Sequence, residues 1–302
     1  MFKNKIVNFT CYDAGAAEII SNFIKFTKIK KYNLTLGNLA KKIFIKNKIK
    51  IKLIKLKDAI KKSDIFITGT SWKYSYELKL INKISKLNRK KSIVILDDFI
   101  NLKNRFLLKN NYIFPDELWV PNNIPKQRID SKFLKYCKIK IIKNYYLNNV
   151  KKDLKNLKKP KNYKKNLLFL SQPIKDVSNK FTFKKIKYDE LDYLKKLLLK
   201  VNKFTLKKKI NLFTIRLHPA EKKNKYNKLI NDFKNIPIEL SKQSLLNDIA
   251  GHRYVFGMNT NAMKIAIMNK NIVISLLDKR KIEEFFFNQK IINFKIFNFY
   301  EK

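Results

Sequence analysis

The chain of 302 residues carries 69 Lys and Arg against 23 Asp and Glu, a formal net charge of +46, with 45% hydrophobic and 13% aromatic residues. That apolar content is ample for globular cores, which argues against a disordered polyelectrolyte, and the length favours two domains. The charge points toward nucleic acid, yet only six of the basic residues are Arg, the side chain that base readout and bidentate phosphate clamps prefer.

The lysines are also spread along nearly the whole sequence together with Asn, Ile, Phe and Tyr, a bias an AT-rich coding sequence produces on solvated faces. A nucleic-acid partner is therefore the weaker reading, although such a surface still attracts anionic membranes, acidic glycans and nucleotides through its long-range field. Cys11 and Cys137 are isolated, with no C-x-x-C pair or histidine cluster, so no metal site or disulfide framework is expected. The amino end is too short in apolar run for a signal peptide, and no uncharged stretch approaches a membrane span. These features predict a cytoplasmic protein, with peripheral contact to the inner membrane compatible with its charge.

In chain order, the first half offers strands at "KIVNFTCY" (5–12), "DIFITGT" (64–70), "SIVILDD" (92–98), "ELWVPN" (117–122) and "IKIIKN" (139–144), alternating with amphipathic lysine-rich segments. The stretch 148–166, dense in Lys and Asn and carrying Pro160, reads as a linker. Beyond it come "NLLFLSQP" (166–173), a helix near 189–203, "NLFTIRLHP" (211–219), a helix near 222–234, "IPIELS" (236–241), "YVFGMN" (254–259), a helix near 260–269 and "NIVISLL" (271–277). Such alternation predicts βαβ units around parallel sheets, with ligands at the carboxyl ends of the strands.

Chemistry-bearing residues gather at those carboxyl ends. Asp13 follows the first strand in "CYDAGAAEII", where it can cap a helix or act in chemistry; the segment has no dinucleotide fingerprint or P-loop pattern. Asp97 and Asp98 end "SIVILDD", where a carboxylate can serve as a general base. Ser171 and Gln172 in "FLSQP" offer donors for phosphate oxygens or a nucleobase. Strand alternation places Thr214, Arg216 and His218 on one face, and Pro219 stops the strand there. A guanidinium and an imidazolium converging at that edge would stabilise a diphosphate or departing phosphate. In "GMNTNAMKIAIM", Asn259 or Thr260 would cap a helix whose first N–H groups make a phosphate cradle, with Lys264 one turn in. His252 has no partner pattern and reads as structural.

Together "FLSQP", "RLHP" and "IPIELSKQSLLNDIAGHRYVFGMNTNAMKIAI" resemble, over about residues 166–277, the nucleotide-binding half of GT-B glycosyltransferases, especially bacterial sialyltransferase-like and capsule polysaccharide enzymes. The resemblance implies an α/β protein of two Rossmann-like domains facing a cleft: an acceptor-side domain at 1–155 and a nucleotide-sugar-binding domain at 156–302. It makes His218-Pro219 the His-Pro motif that contacts the donor phosphate, and sets Asn259, Thr260 and Asn261 where hydroxyl residues are usual. The function it implies is transfer of a sugar from a nucleotide sugar, CMP-linked donors included, to a cell-surface glycan or glycolipid. The donor is a substrate, so no cofactor is implied. Asp97, with Asp13 and Asp98 as alternatives, would be the base. The competing readings are a nucleotide-sugar epimerase or hydrolase of the same fold, and a non-catalytic polyanion binder.

Overall fold

The computed structural model describes residues 2, 4–70, 75–87, 90–99, 102–124, 127, 129, 131–174, 189–205, 210–219, 221–279, 282, 286, 289–295 and 297. It divides into two compact units, Met1–Asn149 and Val150–Lys302.

In the first unit, strands β1 (Val7–Cys11), β2 (Tyr32–Leu36), β3 (Ile65–Thr68) and β4 (Lys91–Ile95) alternate with helices α1 (Ala14–Thr27), α2 (Asn38–Lys46), α3 (Leu56–Lys62) and α4 (Tyr76–Ile84). Helix α5 (Leu102–Arg105), a small antiparallel hairpin of β5 (Leu107–Leu108) and β6 (Asn111–Tyr112), β7 (Glu117–Pro121), α6 (Ser131–Tyr136), β8 (Lys138–Ile142) and α7 (Tyr145–Asn156) follow. Six of the strands form one parallel sheet in the order β2-β1-β3-β4-β7-β8. Its strands are β-branched and apolar because both faces are covered. Val7, Phe9, Ile65, Ile67, Ile93, Ile95 and Trp119 pack with the buried face of α1, and Val94, Leu96, Leu118 and Val120 pack with Leu78 and Ile81 of α4 on the other side.

The second unit repeats the plan with β9 (Asn166–Leu170), α8 (Glu190–Thr205), β10 (Leu212–Arg216), α9 (Asn227–Asn231), β11 (Ile238–Leu240), α10 (Leu245–Gly251), β12 (Tyr254–Gly257), α11 (Asn261–Met268), β13 (Ile272–Ser275) and β14 (Ile292–Asn293). Its sheet is also parallel throughout, ordered β11-β10-β9-β12-β13-β14. Two Rossmann-like α/β units of the GT-B kind are thus the fold.

In each sheet the connections reverse direction once, between β1 and β3 and between β9 and β12, which opens a crevice at the carboxyl ends of those strands. Gly69 lies at the first of these points. A Cβ there would sit 2.2 Å from the Ala16 Cβ and 3.0 Å from its Cα, so the missing side chain is what lets the turn after β3 approach α1. Gly69→Ala is expected to destabilise the chain by about 1–3 kcal/mol through overpacking, read as a lowered urea midpoint with an unchanged m-value.

The segment 148–166, expected to be a linker or boundary, does hold the division between the two units, but much of it is helix and not open linker. Residues 145–156 are helical, capped by Asn144, whose Oδ1 accepts from the Leu147 N–H at 2.9 Å, and anchored by buried Val150 and Leu154 one turn apart. With Tyr145 and Tyr146 packed against the first core at its amino end, these apolar residues dock a helix that otherwise carries mostly Lys and Asn. Near 222–234, by contrast, only Asn227–Asn231 is α-helical, flanked by turns. Among the described residues, no helix is long and apolar enough to cross a membrane.

Candidate active site

At the carboxyl edge of the first sheet, the turns after β1, β3 and β4 bring Asp13, Thr70 and Asp97 together. Asp97 Oδ1 accepts from Thr70 Oγ1 at 2.9 Å and from the Arg105 guanidinium at 2.5 Å, while the same guanidinium nitrogen lies 2.8 Å from Thr70 Oγ1. Its other oxygen lies against the first turn of α1, because a Cβ on Gly15 would come within 2.7 Å of Asp97 Oδ2. Glycine at position 15 is therefore part of how that carboxylate is seated.

Asp13 occupies the N-cap position of α1, yet its side chain makes no capping bond. Its carboxyl is pushed up to about 6, chiefly by burial and then by repulsion from Asp97 and Glu77, against the opposing pull of the Ala14 N–H and Arg105. A carboxylate with that value exchanges protons near neutral pH, as a general acid or base must. Glu77, buried in the first turn of α4, accepts from the Tyr12 N–H at 2.8 Å and so fixes the backbone just before Asp13. Asp98 is buried beside this cluster, where its Oδ1 accepts from the Phe99 N–H at 2.7 Å. The Cys11 thiol is raised well above its ordinary value by burial and by Glu77, Asp13 and Asp97, which keeps it protonated and poorly nucleophilic.

In the second unit, the crevice between β9 and β12 is bridged by Gln172, whose Oε1 accepts from the Asn259 N–H at 3.0 Å. Thr260 caps α11 through a bond from the Ala262 N–H at 2.9 Å, with Asn261 exposed at the first helical position and Lys264 half-buried one turn on. Gly257 makes room for Met263, whose Sδ would lie 2.8 Å from an added Cβ.

The residues around His218 are divided between two networks. The Arg216 guanidinium turns to the β11 side, where it donates to Asp248 Oδ2 at 2.6 Å and to the Gln243 carbonyl at 2.9 Å. His218 sits instead in a turn closed in both directions by Glu221: the His218 N–H donates to Glu221 Oε2 at 2.7 Å, and the Glu221 N–H to the His218 carbonyl at 2.9 Å. Although His218 is an exposed residue, its imidazole is held below its ordinary value by partial desolvation of the ring and by Lys225, with Glu221 opposing. The neutral form therefore prevails at neutral pH, so the expected imidazolium–guanidinium pair is replaced by a neutral ring and a guanidinium already paired with Asp248.

Behind the turn, Ser171 donates to Glu221 Oε1 at 2.8 Å and makes a short bond with the Tyr226 hydroxyl. Lys225 bridges Glu221, at 2.7 Å, and Glu190. Ser171 is thus a buried support of the His218 turn. His252 is buried too, its ring nitrogens 2.6 Å from the Asp248 carbonyl and 2.7 Å from Thr214 Oγ1. Among the described residues, no group of three or more His, Cys, Asp or Glu side chains could hold a metal ion.

Sequence reasoning missed Arg105, Thr70, Glu77 and Glu221. Arg105 had a signal: one of six arginines in a lysine chain, eight residues after Asp97. Glu221 had another, a lone acid three residues after His218 in a basic segment.

No family model matches the chain, and no curated protein matches it in sequence. Solved structures do match in fold. The UDP-GlcNAc 2-epimerase of Methanocaldococcus jannaschii superposes with a TM-score of 0.61 at 13% identity, covering 95% of this chain and 89% of that one. The UDP-GlcNAc-bound 2-epimerase of Neisseria meningitidis gives 0.58 at 13% identity over 91% and 84%. The S. aureus MnaA–UDP structure gives 0.61 at 11% over 93% and 81%. At these identities the likeness establishes the fold alone.

It nevertheless corrects the expected glycosyltransferase activity. The two-sheet plan that supported that expectation belongs, over more than nine-tenths of this chain, to a fold that epimerases of nucleotide sugars share. The sialyltransferase-like and capsule-type part of the resemblance finds no support in these structures.

Proposed function

We propose that this protein acts on a nucleotide sugar without an acceptor, as an epimerase of a UDP-linked N-acetylhexosamine. The observation that carries the reading is the Asp13–Asp97 pair at the crevice of the first sheet, with Asp97 held by Arg105 and Thr70 and Asp13 titrating at about 6. Inverting a ring carbon requires a group that takes a proton and a group that returns one, and efficient exchange needs a pKa near the working pH. The fold shared with proteins solved with UDP-GlcNAc and UDP supports the substrate class.

Roles fall within each unit by itself. In the first, Asp13 and Asp97 are the two groups that take the proton and return it, with Asp98 next to them as a supporting carboxylate. In the second, His218, Gln172, Asn259, Thr260, Asn261 and Lys264 stand at the strand ends where a diphosphate binds, and Arg216 fixes the edge on which His218 stands. The test is incubation of the protein with UDP-GlcNAc alone in D2O, followed by proton NMR. Appearance of the C2 epimer with deuterium at C2 is the expected result. Release of free UDP without epimer would assign hydrolysis instead, and an unchanged substrate at high enzyme concentration would refute the reading.

A further inference from the structure

Resting on the nucleotide-sugar reading, we propose that Tyr76, stacked on Tyr12, forms an aromatic shelf whose outer face receives the pyranose ring of the substrate at the edge that carries Asp13 and Asp97. The two rings lie 4.1 Å apart between centroids, tilted by 32°. Tyr76 keeps 36% of its surface exposed, and Tyr12 is half-buried. An exposed aromatic pair at the carboxyl edge of a parallel sheet contributes little to the core, and its apolar faces and polar rims match a sugar ring, which presents C–H groups on one face and hydroxyls around its edge.

The pair is also held in place from several directions. Tyr12 directly precedes Asp13, and Tyr76 directly precedes Glu77, one of the charges that act on the Asp13 carboxyl, so both tyrosines belong to the edge that carries Asp13. The Tyr12 N–H is bonded to Glu77, the residue after Tyr76, which ties the two tyrosines to one another through the backbone. Ser75 caps α4 through a bond from the Leu78 N–H at 3.1 Å and fixes Tyr76 in the first turn. Gly37 lacks a Cβ where one would lie 2.7 Å from Tyr12 Cδ1, so the opposite flank of the Tyr12 ring is packed against backbone.

The occupant is the sugar and not the nucleobase. A ribose and a diphosphate separate the base from the reacting pyranose, so a base stacked here would carry the reacting carbon away from Asp13. The shelf is thus a positioning element: it holds the pyranose while the two carboxylates act on it.

Isothermal titration of UDP-GlcNAc and of UDP into wild type, Tyr76→Ala and Tyr76→Phe tests this. Tyr76→Ala is expected to weaken UDP-GlcNAc by roughly three- to tenfold, the worth of one aromatic contact, to leave UDP within about twofold of wild type, and to be rescued by Tyr76→Phe. Equal weakening of both ligands, or no change for either, overturns the shelf while leaving the nucleotide-sugar reading intact. A wild type that binds neither ligand overturns both.

Discussion

Asp97→Ala and Asp13→Asn are each expected to slow turnover of UDP-GlcNAc by roughly 100- to 10,000-fold, the range that a positioned acid or base contributes, with circular dichroism unchanged. The two variants then part company in stability. Asp13 is a carboxyl whose folded value, about 6, lies above the ordinary 3.8 because burial and Asp97 disfavour its charge. Between these values the folded chain binds more protons than the unfolded one, so the stability of the wild type declines as pH rises from about 4 to about 6 and the cost of ionising Asp13 is fully present above that. Asn carries no such charge. Asp13→Asn should therefore be more stable than wild type at pH 7 by on the order of 2 kcal/mol, and that advantage should shrink to nothing by pH 4. Urea denaturation at the two pH values measures it. A variant that is less stable than wild type at pH 7 would show that Asp13 is a structural cap and not a strained functional carboxyl.

The same titration shapes the rate. If Asp13 takes the proton, it must be ionised, and activity should rise with pH through about 6 before levelling. Asp97→Ala removes the nearest negative charge, so the midpoint of that limb should move down, toward the ordinary carboxylate value, in whatever residual activity persists. A loss of activity on Asp13→Asn, together with a gain in stability, is the trade that a functional site shows when a residue is held against its own preference.

How far this was legible in the sequence depends on what kind of signal each feature leaves. The parallel sheets were legible because buried strands are runs of apolar and β-branched residues, as in "SIVILDD" and "NIVISLL", and because chemistry-bearing residues follow them. Strand β2, "YNLTL", was not, since Asn and Thr interrupt its apolar run; Asn8 and Thr35 bond to each other at 3.2 Å across β1 and β2, so the polar residues are satisfied inside the sheet. Helix α7 was hidden by its lysines and asparagines, which outnumber the residues that dock it. Asp13 and Asp97 could be nominated from position alone, but their pairing required the third dimension: they are 84 positions apart in the chain, and two turns bring them together at a crevice. Arg216 shows the reverse error. Strand alternation set it on one face with His218, but the strand ends at Arg216, and alternation said nothing of Asp248, which claims its guanidinium.

Lys225→Met is expected to be the most destabilising single change in the second unit, by about 3–5 kcal/mol. Lys225 is the cation between Glu190 and Glu221, whose side chains are fully buried, and its ammonium is held above its ordinary value because bonds to both carboxylates outweigh the cost of burial. Removing it strands negative charge away from water, which costs more than the pair itself contributes. Combining Lys225→Met with Glu190→Gln removes one of the two stranded charges and should restore part of the loss, a coupling that a double-mutant cycle in urea reads directly. Additive effects would show that the three groups do not act as a unit. The consequence reaches the site because Glu221 also closes the His218 turn and holds Ser171. Weaker UDP binding in Lys225→Met, recovered in the double variant along with stability, is the result that ties the buried network to the phosphate side of the site.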